Sequence, residues 1–162
     1  MLIMRGGPVA GIDAQLRKLR LPGVRGVAAD EVLPEPQVAV MWVPQTRGSP
    51  DIPANMPSAY WPGGEYVDWV GTDFYSRYPN FHWLEDFYRR YGGKPFVFGE
   101  WAMWGRDDPA FVKRLFAWIE SRPRVRMVLY NQGNNPGGPY RLTQHPRSRA
   151  ELRRQLAKPR YR

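Results

Sequence analysis

Glu100 ends the run Pro95-Phe96-Val97-Phe98-Gly99-Glu100, directly after a glycine and directly before Trp101, with Trp104 close behind. A carboxylate set beside indoles loses hydration, which raises its pKa, and nearby hydrogen-bond donors restore the anion. Donors of that kind stand at comparable places in the chain. Tyr75 follows Asp73 by two residues, and Asn131 lies between Tyr130 and Gln132. Gln45 closes another apolar run. A carboxylate held this way is suited to nucleophilic or general acid–base work. On local sequence alone, that reading of Glu100 stands level with a surface glutamate where the chain turns out to solvent.

Positioning these groups falls to four short runs with strand character, over 38–43, 67–75, 95–100 and 125–130. Three of them are almost continuously apolar, as strands covered on both faces are. Their centres, Val40, Val70, Phe98 and Val128, are 30, 28 and 30 residues apart. Helical patterns fill most of the gaps. Over 81–91, Trp83, Leu84, Phe87, Tyr88 and Tyr91 share one face, and Gly92-Gly93 ends the helix. Asp108-Pro109 opens another, with Asp108 as cap and Phe111, Leu115, Trp118 and Ile119 on its inner face. Ser148 is placed to cap a last helix through Leu152 and Leu156, and a short helix is expected over 12–19. The stretch from Pro44 to Tyr66 is long, rich in proline and aromatics, and has no helical pattern; ordered loops of this length usually serve function.

Strand–helix alternation predicts an α/β fold with a parallel sheet. A (β/α)₈ barrel of about 250 residues allots roughly 31 to each unit, so four units at this spacing amount to half a barrel. Spacing alone also admits an open doubly wound sheet, but neither GxGxxG nor GxxxxGK[ST] occurs. The chain reads as one domain: a partial helix and linker over 1–37, the strand–helix repeat over 38–135, and a basic helix and tail over 136–162.

Composition sets further bounds. With 43% apolar and 24% charged residues the chain is not of disordered type. The absence of cysteine removes disulfides, thiolate metal sites and Cys nucleophiles. No run approaches the roughly 20 apolar residues of a membrane span, and the first seven residues are too short for the apolar region of a signal peptide. The formal charge is +9, concentrated near the two ends. Solvated basic ends explain this better than a phosphate-binding surface. His82 and His145 are too far apart for a metal pair, and both are expected at surface or helix positions.

The segment Tyr60-Trp61-Pro62-Gly63-Gly64-Glu65-Tyr66-Val67-Asp68-Trp69-Val70-Gly71-Thr72-Asp73-Phe74-Tyr75 resembles the YPG-x-x-YVDWVG-x-D-x-Y segment of glycoside hydrolase family 26, mannanase-like enzymes of the large retaining barrel clan. Lys94-Pro95 through Gly99-Glu100 is similar to that family's KP-x-x-x-GE seventh strand. Trp42-Val43-Pro44-Gln45 resembles the fifth strand and Val125 to Gln132 the eighth. The match spans approximately residues 38 to 135.

The resemblance implies a partial (β/α)₈ barrel, strands five to eight, and retaining hydrolysis of a β-glycosidic bond in a poly- or oligosaccharide. Glu100 would be the nucleophile and Tyr75 would orient it. Asp73, Tyr130 and Asn131 would contact sugar, and Trp42, Trp61, Trp101 and Trp104 would be sugar platforms, although a core role is as fitting for each indole. Asp68, at the other end of its strand, would be structural. No cofactor or metal is implied, and the family's setting is extracellular. The family's acid/base, a Glu ending the fourth strand, would precede Met1, and Met1 to Gly7 would be the end of the fourth helix. Asp73, Asp107, Asp108, Glu31 and Glu35 offer no convincing replacement, so no turnover of mannan or β-glucan is expected. Open edges of a half barrel would favour self-association. The competing readings are a carbohydrate-binding remnant without hydrolysis and, third, a nucleic-acid-binding protein using the arginine-rich ends.

Overall fold

The computed structural model describes residues 5–162. Where one domain was expected, the chain divides into two compact units. One takes in the N-terminal residues through Val40 and returns with Pro62–Asp68; the other is Met41–Trp61 with Trp69–Arg162.

In the first unit, β1 (Gly7–Pro8) pairs antiparallel with β2 (Val32–Leu33), and α1 (Val9–Lys18) follows β1 directly. Val9, Ile12 and Leu16 form the buried stripe of α1 at the 3.6-residue period. Of the helix end expected over residues 1–7, Arg5 is in a 3₁₀ turn while Gly7 is already in a strand, and residues 1–4 lie outside the described residues. Asp68 has the structural role expected of it. Its carboxylate accepts from Arg5 at 3.0 Å and from the Val40 amide at 2.8 Å.

The second unit is a four-stranded parallel sheet flanked by helices. Its strands are β3 (Met41–Trp42), β4 (Trp69–Tyr75), β5 (Phe96–Ala102) and β6 (Val125–Tyr130), hydrogen-bonded in chain order. Between and after them run α2 (Phe81–Arg90), α3 (Pro109–Glu120) and α4 (Pro146–Leu156). The first strand is two residues long rather than the six expected. The Pro44–Tyr66 stretch contains three short 3₁₀ turns and no α-helix, as its proline content dictates.

The helices begin where the caps require. Asn80 accepts from the Trp83 amide at 3.0 Å, and Asp108 accepts from Ala110 and Phe111 at 3.0 and 3.1 Å. Each such cap is worth about 1 kcal/mol. Ser148 is not the cap of α4 but lies inside its first turn. The cap position is His145, and the free amides of Arg147 and Ser148 are taken, at 2.9 Å each, by Asp107 from 40 residues away. Burial works against the Asp107 anion, but bonds from the Ser148 hydroxyl and amide outweigh it and hold the carboxyl below its ordinary range.

One face of the sheet carries the core. Phe74 packs on Phe81 and Phe111, Phe96 on Tyr88 and Trp118, Phe98 on Trp118, and Trp101 on Phe111 and Phe116. Leu84, Val112, Leu115 and Ile119 complete it without solvent exposure. Trp83, expected on this inner face of α2, is instead partly exposed beneath the Arg47 guanidinium. The opposite face of the sheet bears Asp73, Tyr75 and Glu100.

Candidate active site

Two-residue alternation from Phe96 and Phe98 would send Glu100 into the helix-facing core. A bulge prevents this. Thr72 pairs with Phe98 but Asp73 with Glu100, so Gly99 is an extra residue, and the register with β6 shifts over the same segment. A bulge of this kind re-aims the side chains that follow it. Phe98 and Trp101 therefore both face the helices, while Glu100 faces the side of Asp73 and Tyr75. Glycine at the extra position is required sterically. A Cβ on Gly99 would lie 2.6 Å from Val43 Cγ1 and 3.3 Å from Asp73 Oδ1.

The structure joins three of the expected residues at one atom. The Tyr75 hydroxyl donates to Glu100 Oε2, and Asn131 Nδ2 donates to the same oxygen at 3.0 Å. Asn131 Nδ2 also reaches the Tyr75 oxygen at 3.2 Å. The Asn131 amide is itself fixed: its Oδ1 accepts from the Gly133 amide at 2.7 Å, and its backbone N–H donates to the Trp101 carbonyl at 2.9 Å. Burial, then the bond to Glu100, pushes the Tyr75 phenol up to about 12, so it keeps its proton as a donor near neutrality. Glu100 Oε1 has no partner among the described residues, and Glu100 lines a groove of about 350 Å³ together with Leu129, Tyr130, Asn131 and Asn134.

Asp73 adds a second carboxyl in register with Glu100. Burial first, then the Glu100 charge, raises it to about 6, against an opposing hydrogen bond from the Glu100 backbone. Near pH 6 Asp73 is thus partly protonated.

The expected sugar platforms fare differently. Trp101 is 2% exposed and wedged against Phe116 and Tyr130, so it has no face to offer a sugar. Trp42 stacks on Phe87 of α2 and meets Trp61 and Tyr91, and Trp61 also meets Tyr91. Both indoles therefore belong to the helix side of the sheet, away from Glu100. Tyr130 uses its hydroxyl on backbone, accepting from Met103 at 3.2 Å and donating to the Tyr140 carbonyl at 2.8 Å, which anchors the loop, and the residue also lines the groove beside Glu100. Trp104 does reach the site. Its ring meets Tyr75 and Tyr140 edge-on at 5.6 and 5.5 Å, and its amide donates to Ser76 Oγ at 2.8 Å.

Tyr140 and Ser76 are site residues that the sequence does not reveal. Tyr140 lies in a loop of Asn, Pro and Gly with no periodicity to flag it, 5.6 Å from the Tyr75 ring. His145, expected at a surface or helix position, is at the cap position of α4 and is buried. It is 1% exposed, and its Nε2 contacts the Pro139 carbonyl at 2.7 Å, next to the carbonyl that Tyr130 holds.

Much of the basic tail is engaged in structure. Arg160 donates to the carbonyls of Ile119 and Glu120 at the end of α3 and of Arg122 and Val125 after it, Lys158 pairs with Glu120, and Arg154 with Glu151. Among the described residues no cluster of three metal-ligating side chains occurs, and no helix is long and apolar enough to cross a membrane. No family model matches the chain, and no curated protein matches it.

Proposed function

We propose that this chain carries the nucleophile half of a retaining glycoside hydrolase site, β-mannanase- or β-glucanase-like, on strands corresponding to the second half of a (β/α)₈ barrel. The observation that carries the reading is the convergence of Tyr75 and Asn131 on Glu100 Oε2. Two donors on one oxygen fix the carboxylate plane, hold the anion and leave Oε1 free to attack. The strand order supports the barrel: four parallel strands adjacent in chain order advance in one direction, whereas a doubly wound sheet reverses at its switch point. The side chains in question lie at the C-terminal ends of β4, β5 and β6, where barrel enzymes place their chemistry.

In this reading Glu100 Oε1 bonds to the anomeric carbon as the glycosidic C–O bond breaks, and the bonding pair leaves on the aglycone oxygen. Water later displaces Glu100 from the glycosyl-enzyme with net retention. A natural leaving alkoxide needs a proton from a second carboxyl, a role that this reading assigns to no described residue, Asp73 being taken as a sugar contact. A dinitrophenolate leaving group needs none, so it isolates the step that Glu100 performs.

The test is incubation with 2,4-dinitrophenyl 2-deoxy-2-fluoro β-mannoside and β-glucoside, followed by peptide mass analysis. One glycosyl group on the peptide containing Glu100, with one equivalent of phenolate released, is the expected result. The label should be absent in Glu100→Gln. Sugar binding without labelling would favour a carbohydrate-binding module that does not hydrolyse, and labelling at another residue would overturn the assignment.

A further inference from the structure

Arg77, in the turn after β4, holds its guanidinium 5.2 Å from the Trp104 ring centre and 5.7 Å from that of Tyr78. Those two rings meet at 88°, 5.8 Å apart, so the cation sits in a corner of two π faces. Stacking fixes the guanidinium without consuming its N–H groups. No acceptor takes them: among the described residues Arg77 has neither a hydrogen bond nor an ion pair. Three of the other four arginines stacked on rings are spent, and the fourth, Arg114 over Phe81, stands on α3, on the helix side of the sheet and not on the face of Glu100. Arg47 is bound to Asp51, Arg122 to Glu85, and Arg124 to the carbonyls of Tyr88 and Lys94.

The location gives the free cation a purpose. Trp104 also meets the ring of Tyr75, the donor to Glu100, so one indole separates the guanidinium from the reactive carboxylate's partner. The Ser76–Trp104 hydrogen bond ties the Arg77 turn to the Trp104 loop, holding both in place before any ligand arrives. Asp73 and Glu100 would repel an anion close to the reacting carbon, so an anionic ligand needs a fixed positive group beyond them. A planar five-donor fork suits a carboxylate, which it can bind through two parallel bonds.

We propose that Arg77 is an anion-recognition subsite outside the groove at Glu100, reached past Trp104 and Tyr75, and that the preferred substrate is an acidic polysaccharide bearing uronate carboxylates. The proposal rests on the glycosidase reading above and specifies its substrate class.

The experiment is affinity electrophoresis of the full chain in gels containing glucuronoxylan, the same polymer with its carboxyls reduced to alcohols, or neutral galactomannan. Arg77→Gln is compared with Arg153→Gln, a variant of equal net charge on α4, and folding of each is checked by circular dichroism. Glucuronoxylan should retard the wild type more than its reduced form does. Arg77→Gln should lose that difference, with affinity falling roughly tenfold as a charge-assisted bond of about 1.5 kcal/mol or more is removed. Arg77→Lys should keep part of it, and Arg153→Gln should behave as wild type. Equal losses in the two glutamine variants would reduce the effect to bulk charge and overturn the proposal. Equal retardation by acidic and reduced polymer, or retardation by galactomannan alone, would overturn it while leaving saccharide binding intact. Retardation by none of the three would remove the saccharide reading together with the proposal.

Discussion

Asp73 and Glu100 stand opposite each other across β4 and β5, brought into register by the extra residue Gly99. Two carboxyls on one face of a sheet repel when both are ionised, and burial sharpens the penalty. The site therefore stores a pH dependence that its geometry makes measurable.

The sign follows from the direction of the shift. Burial and the Glu100 charge raise Asp73 from 3.8 to about 6, so the folded chain holds this proton more tightly than the unfolded chain does. Below pH 3.8 both states are protonated and Asp73 contributes nothing to the slope. Between 3.8 and about 6 the unfolded state releases the proton first, and stability falls as pH rises; beyond that window the loss is complete. Asp73→Asn should flatten this slope and raise the melting temperature at pH 8 more than at pH 4. Thermal melts across that range check it, and a variant with an unchanged slope would show that the pair is not strained.

Tyr75→Phe removes a donor to Glu100 Oε2 and leaves the ring contacts with Trp104 and Tyr140 in place. A hydrogen bond to a charged group contributes about 1.5–3 kcal/mol, so the rate of labelling by the fluoroglycoside should fall roughly ten- to hundredfold. Asn131→Ala should slow it comparably, and the double variant should lose less than the product of the two because both act on one oxygen. Labelling at the wild-type rate in Tyr75→Phe would remove Tyr75 from the positioning role.

The parallel sheet, the helices after β4 and β5, the Asp108 cap and the grouping of Tyr75, Glu100 and Asn131 are all readable from periodicity, strand ends and family resemblance. The fates of the tryptophans are not. An indole beside a strand-end carboxylate has the same local sequence whether it faces a ligand or the core, and the face depends on a bulge that alternation cannot anticipate. Gly99 is the one sequence sign of that bulge, since an isolated glycine in a strand often marks one. The placement of His145 and Tyr140 was illegible for a different reason: both depend on hydrogen bonds to loop carbonyls, which leave no pattern of residue types.

Trp101 and Trp104 lie three residues apart and differ in what they support. Trp101 is 2% exposed against Phe111, Phe116 and Tyr130, so Trp101→Ala should cost about 3–5 kcal/mol of stability. Trp104 is half-buried among Tyr75, Tyr78 and Tyr140, and its truncation should cost less stability but more labelling rate. Urea midpoints at constant slope, measured beside labelling kinetics, separate the two. A smaller stability loss at Trp101 than at Trp104 would return Trp101 to the candidates for sugar contact.

Gly99→Ala tests the bulge itself. The added methyl would meet Val43 Cγ1 at 2.6 Å and Asp73 Oδ1 at 3.3 Å, closer than ordinary packing permits. Relief requires either Val43 or the bulge to move, and moving the bulge displaces Glu100 from Tyr75 and Asn131. Overpacking of this kind costs about 1–3 kcal/mol, and labelling should slow with it. Val43→Ala removes the nearer obstacle and so should restore part of both losses in the double variant. Strict additivity in that cycle would mean that the methyl is accommodated elsewhere, and that the close approach of Val43 is not what reserves this position for glycine.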